Sequence, residues 1–249
     1  MKKVIKKFMA SEIIKKLILT LIVLISNMSG AQIDRSVPDA EPAPEIKFRS
    51  PITKKLNNNL TLMIVVDNKL PKASATLIID NPPILSKDKS GIRSLLSSSL
   101  GKGNKYQSKD EFIEEKDFMG SSINYNSSGG SLSSLSRYFE RTLTMFAQGA
   151  FYPEFNEEEF DKEKTKLIES LKVNEKNAST IARRVEDIIA FGTNHPRSEY
   201  TTQESVSKIE LSDVSNFYKT YFKPNNAYLV ILGDVDVDRT IQFTEDLFG

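Results

Sequence analysis

Not one of the 249 residues is a cysteine, so whatever this chain folds into is held by a hydrophobic core rather than by disulfide bridges. Hydrophobic residues make up 39% of the sequence and are spread along most of it, enough for one large core or two small ones. Histidine is nearly as scarce, with His195 as its sole representative. Thiol catalysis, Cys–His dyads and Cys-based zinc sites are therefore excluded within the chain. A His-based zinc site lacks the partners it needs.

The amino terminus reads as an export signal rather than as part of a fold. Lys2, Lys3, Lys6, Lys7, Lys15 and Lys16 precede a short apolar run from Leu17 to Ile25, which ends in Ser29-Gly30-Ala31. A basic segment, a short apolar run and a small-x-small end are what a signal peptidase reads. A membrane span needs about 20 apolar residues, and this run is shorter. The expectation is a signal peptide over 1–31, with an uncleaved anchor as its rival and no stable span after cleavage. No cysteine stands at the boundary to carry a lipid. The whole chain has a net charge of +1, but the first 31 residues hold six lysines and one glutamate. Subtracting that balance of +5 leaves −4 for the mature chain, which gives no reason to expect a nucleic-acid partner. A periplasmic or extracellular location follows from the signal.

Residues 32–49 are polar and proline-rich, a flexible lead-in to a module over 50–249. Asn57-Asn58-Asn59 marks a turn before the β-branched run Leu60–Val66, and Ala73–Ile79 reads as a second strand. Ile92, Leu95, Leu96 and Leu100 recur at helical spacing, with Gly101 and Gly103 as a stop. Ser108 with Glu111 predicts a capping box. Ser121–Tyr125 and Gly130–Ser134 read as a strand pair, with Gly129-Gly130 taken as a turn. Leu135, Phe139, Leu143, Phe146 and Ala150 form one helical stripe. Asn156 caps a charged helix to about Val173, and Ile181, Val185, Ile188 and Ile189 mark another. Leu211, Val214, Phe217 and Tyr221 mark a helix stopped by Pro224. Ala227–Leu232 is a buried strand, followed by Gly233-Asp234 and a last helix. Strands and helices interspersed in this way predict an α+β fold.

Several of these segments, in order, resemble the pitrilysin/insulinase family, which includes the mitochondrial processing peptidase. Asn59-Leu60-Thr61-Leu62-Met63 is similar to the family's opening strand, without its glycine. Gly91-Ile92 through Lys102-Gly103 is similar to the helix that carries its metal motif. The most specific match is Asn194-His195-Pro196, then Glu204-Ser205-Val206, then Phe217 through Asn226, running into Ala227–Val235. The resemblance covers residues 50–249. It implies a mixed or antiparallel sheet covered by helices on one face.

The family motif is the inverted zincin H-x-x-E-H. On a helix its two histidines share a face and grip zinc, and the intervening glutamate is the general base. By the resemblance, the first histidine position here is Ser94, the base position Ser97 and the second histidine position Ser98. Downstream, Glu163 matches the family's acidic residue, and the ligand glutamate seven positions later falls on Ser170. Glu169 lies one residue away, rotated by about 100° around the helix, and is a poor substitute. Serine hydroxyls are neutral, weak zinc ligands and poor bases. A serine nucleophile would need a base, and His195 sits far along in a loop.

The resemblance therefore implies a non-catalytic subunit that shapes a chamber and binds extended peptides for a catalytic zinc-peptidase subunit of the same family. No metal or other cofactor is expected in this chain; zinc is expected in the partner. Two alternatives stand beside this reading: an active zinc peptidase with ligands from elsewhere, and a stand-alone binder that adds peptides to a sheet edge. His195 is read as a packing residue. Gly101-Lys102-Gly103 lacks the spacing of a phosphate loop.

Overall fold

A computed structural model of the chain describes residues 14–23 and 50–249. Residues 14–23 form a helix with every side chain exposed. No described helix is long and apolar enough to cross a membrane. The signal-cleavage region around Ala31 and the lead-in over 32–49 lie outside the described residues.

Residues 50–249 build one six-stranded sheet with helices on one face. Its strands are β1 (Ile52–Lys55), β2 (Thr61–Val66), β3 (Lys72–Ile79), β4 (Ser122–Asn126), β5 (Gly129–Leu135) and β6 (Ala227–Gly233), in the order β1-β2-β6-β3-β5-β4. Every pairing is antiparallel except β2 with β6, so the sheet is mixed. The helices are α1 (Ile92–Ser99), α2 (Lys109–Phe118), α3 (Phe139–Phe151), α4 (Glu157–Asn174), α5 (Ala178–Phe191), α6 (Gln203–Ser207), α7 (Leu211–Tyr221) and α8 (Val237–Phe248). This is the α+β architecture expected from the sequence.

The period-two alternation of the strands decides which face is covered. In register, Leu62, Leu229 and Leu77 form one row across β2, β6 and β3, and Ile64, Ile231 and Ala75 form the next. All six are buried, together with Leu95 and Leu96 of α1 and Leu143 and Phe146 of α3. Their neighbours along the strands point the other way: Ile78, Tyr228 and Leu232 are exposed. Burying a leucine or isoleucine in such a row stabilises the fold by about 1.5–3 kcal/mol.

Two sequence expectations need correction. Leu135 ends β5 instead of opening the next helix, which starts at Phe139 after a short 3-10 turn over Ser136–Tyr138. Gly129-Gly130 is not the turn either: the turn is Ser127-Ser128, and both glycines lie in β5. Gly129 adopts φ +131°, and a β-carbon there would lie 2.0 Å from the Leu77 carbonyl oxygen. A β-carbon on Gly130 would press on the Phe146 ring at 2.9 Å. The glycines let β3 and α3 approach; they do not reverse the chain.

Candidate functional site

Helix α1 is anchored from its amino end. Gly91 caps it at φ +108°, where a side chain would strike Thr201 and Val206. Ser205 Oγ donates to the Ser90 carbonyl at 2.7 Å, so the Glu204-Ser205-Val206 segment holds the helix start in place. The Pro224-Asn225-Asn226 segment has a similar role at the sheet. The Asp80 N–H donates to the Asn226 carbonyl at 2.9 Å, and Asn81 Nδ2 donates to the Tyr221 carbonyl at 2.8 Å. The residues of greatest family likeness thus act as structural ties around α1 and β3.

Helix α1 packs against α4, against α7 and against β4. That packing puts the helix carrying Ser94, Ser97 and Ser98 beside the helix carrying Glu163 and Ser170. The four serines differ in exposure and in hydrogen bonding. Ser94 and Ser170 are exposed, and the Ser170 hydroxyl accepts from Asn174 Nδ2 at 3.5 Å. Ser97 Oγ donates to the Arg93 carbonyl at 2.7 Å and accepts from the Ser127 N–H at 2.8 Å. Ser98 Oγ donates to the Leu95 carbonyl at 3.1 Å. Back-bonding of this kind satisfies helical serines locally.

Glu163 is held by two lysines. Lys102 Nζ reaches it at 3.2 Å from just beyond α1, and Lys166 Nζ at 3.0 Å from the next turn of α4. Burial alone would raise the carboxyl's pKa, but the hydrogen bonds and charges of Lys166 and Lys102 outweigh it and hold the group below the usual carboxylate range. Glu169 is exposed. Zinc, which the family likeness implies, does not fit this donor set: the hydroxyls are neutral, those of Ser97 and Ser98 are back-bonded, and Glu163 already has two ammonium groups on it. Among the described residues no group of three or more His, Cys, Asp or Glu is placed to hold a metal ion.

His195 lies away from this cluster. Its Nδ1 accepts from the Arg197 N–H at 3.1 Å, and its ring stacks on Phe191 at 5.1 Å. Sequence reasoning missed three features of the site. Lys102 has no role of its own in the sequence reading, although a lysine just beyond the helix of Ser94, Ser97 and Ser98 is the signal that could find it. Arg93 and the Ser127-Ser128 turn are joined to α1 only by the fold. Strand β4 lies at the sheet edge beside α1, with one side paired to β5.

Comparison with known proteins agrees with this architecture. A family model described as "Peptidase M16 inactive domain" matches residues 208–249. The non-peptidase homolog YmxG of Helicobacter pylori (strain ATCC 700392 / 26695) is 23% identical over 161 residues, covering 63% of this chain and 37% of that protein. A protease from Helicobacter pylori has a similar structure, with a TM-score of 0.73 and 19% identity over 81% of this chain and 50% of its own. A peptidase M16 inactive domain from Pseudomonas fluorescens gives a TM-score of 0.72 and 17% identity over 80% of this chain and 50% of its own. The chain thus spans half or less of the length of these proteins. At these identities the solved structures speak for the fold, while the family model speaks for the last 42 residues. The chain is thus similar to the pitrilysin/insulinase (peptidase M16) family in its fold and, over residues 208–249, to the family's inactive domain.

Proposed function

We propose that this chain is a non-catalytic module of a secreted pitrilysin/insulinase-type zinc peptidase, shaping the chamber and binding peptide for a catalytic partner that carries the intact motif. The observation that carries the proposal is the chemistry at the motif positions. By the family resemblance Ser94, Ser97, Ser98 and Ser170 fall where zinc ligands and a base would stand, and Glu163 is ion-paired with Lys102 and Lys166. The relative described as a non-peptidase homolog is in keeping with it.

Two surfaces support the partner and the peptide. Helix α5 has no buried residue, yet Ile181, Val185, Ile188 and Ile189 recur along one stripe, and Ile189 is 80% exposed. A stripe of that spacing is ordinarily packed against another element. Strand β4 offers an edge onto which an extended peptide can add by backbone hydrogen bonds.

The test is to capture the tagged mature protein from its own host. The expected result is a co-purifying M16-type protein with an intact H-x-x-E-H, and peptide cleavage by the pair but not by this chain alone. Cleavage by this chain alone would overturn the proposal. So would a chain that binds peptides yet captures no M16-type protein, since that is the stand-alone binder.

A further inference from the structure

We propose that Arg93 and the β4–β5 turn form a carboxylate-binding pocket that reads one acidic group of a peptide laid along β4. The inference rests on the peptide-binding part of the reading above.

Among the described arginines, Arg93 is the one held by hydroxyl groups alone. Arg141 forks onto Glu115 and Arg239 forks onto Glu140. Arg137, Arg184 and Arg197 each lie over an aromatic ring. Arg93 is exposed and is held by two neutral hydroxyls, its Nε 3.3 Å from Ser127 Oγ and its Nη2 3.2 Å from Ser128 Oγ. Among the described residues no ion pair involves it.

These three side chains share a cavity of about 230 Å³, walled on its apolar side by Pro83, Ile84 and Phe217, and no carboxylate lines it. Ligand pockets for whole small molecules run to about 300–1,000 Å³. A space of this size takes a single group. A guanidinium fork with spare N–H donors beside two hydroxyls matches a carboxylate in shape, charge and hydrogen-bonding capacity.

The pocket is also fixed in advance. Ser97 Oγ ties the α1 backbone at Arg93 to the Ser127 N–H, and Asn126 Oδ1 accepts from the Ser128 N–H at 2.8 Å. The serine at the base position therefore sets where Arg93 stands relative to the turn. Strand β4 ends at Asn126, directly before that turn, so its free edge leads to the cavity. The acidic group is either the peptide's terminal carboxylate or an aspartate or glutamate side chain.

Fluorescence anisotropy with three labelled octapeptides of alternating serine and valine separates these sources. One probe is amidated and neutral, one ends in a free carboxylate, and one is amidated with a glutamate at the penultimate position. The expected result is that one carboxylate probe binds wild-type protein about tenfold or more tighter than the neutral probe, as a charge-assisted pair implies. In Arg93→Gln that advantage disappears while the neutral probe binds as before, and Arg93→Lys, which keeps charge without the fork, restores only part of it. An unchanged thermal melt shows that the variants fold. If the neutral probe binds and no carboxylate improves it, or if Arg93→Gln keeps the advantage, the pocket is refuted and the peptide edge stands. If no probe binds wild-type protein, the peptide-binding reading fails and the pocket with it.

Discussion

Lys102, three residues beyond the end of α1, places its ammonium 3.2 Å from the Glu163 carboxylate on α4, with side-chain exposures of 28% and 13%. The contact spans 61 residues of sequence and ties the end of α1 to α4. Both charges are largely withdrawn from water, and removing Lys102 leaves Glu163 with Lys166 as its remaining ion-pair partner. Lys102→Met should destabilise the protein by about 1–3 kcal/mol, read as a lower urea midpoint at unchanged m-value. The double variant Lys102→Met, Glu163→Gln should recover part of that loss, because the half-buried carboxylate with one fewer partner is gone.

The same pair fixes the direction of the pH dependence. Glu163 titrates below its ordinary value of 4.5 in the folded protein, and so does Glu115, where the Arg141 hydrogen bond is the main cause. A depressed carboxyl binds more protons unfolded than folded, so its contribution is present above pH 4.5 and lost as pH falls through the lower folded value. Thermal melts between pH 7 and pH 3 should show stability falling on the acid side, with a shallower fall in Glu163→Gln. A fall of equal steepness in that variant would remove Glu163 from the account.

The one-sided sheet makes a contrasting pair of substitutions informative. Leu229 and Leu232 lie on the same strand but on opposite faces, at 0% and 48% exposure. Leu229→Ala should cost about 2–5 kcal/mol through lost burial and a residual cavity. Leu232→Ala should cost less than about 1 kcal/mol in the isolated chain. Similar losses in urea denaturation would mean that the second face is covered as well.

For α5 the expected separation is between folding and association. Val185→Glu and Ile189→Glu alter side chains that are 50% and 80% exposed, so stability should stay within about 0.5 kcal/mol of wild type. Capture of the catalytic partner should be lost in both. Retention of the partner by both variants would move the docking surface elsewhere.

Much of this architecture is written locally and can be read from the sequence. Ser108 and Glu111 form the capping box that their spacing implies, with Ser108 N–H donating to Glu111 Oε2 at 2.9 Å. The stripe from Phe139 to Ala150 is buried against the sheet because its period is that of a helix. What escaped is set by partners distant in sequence. Strand β1, Ile-Thr-Lys-Lys, has no strand signature and exists through its pairing with β2. Leu135 fits a helical stripe, but its register opposite Lys72 keeps it in β5. At the site, the serines of α1 are plain in the sequence, whereas the hold of Lys102 on Glu163 and of Ser127 and Ser128 on Arg93 arises only once α1, α4 and the β4–β5 turn are brought together.

The serines of α1 and the lysine-paired Glu163 leave this chain unable to hold the zinc that the family likeness implies. The most direct measurement is elemental analysis of zinc bound to the purified mature protein after incubation with excess zinc and desalting. The account predicts far less than one zinc per chain and a thermal midpoint unmoved by the incubation. Zinc retained near one per chain, with a raised midpoint that Ser94→Ala, Ser98→Ala or Glu163→Gln abolishes, would contradict it.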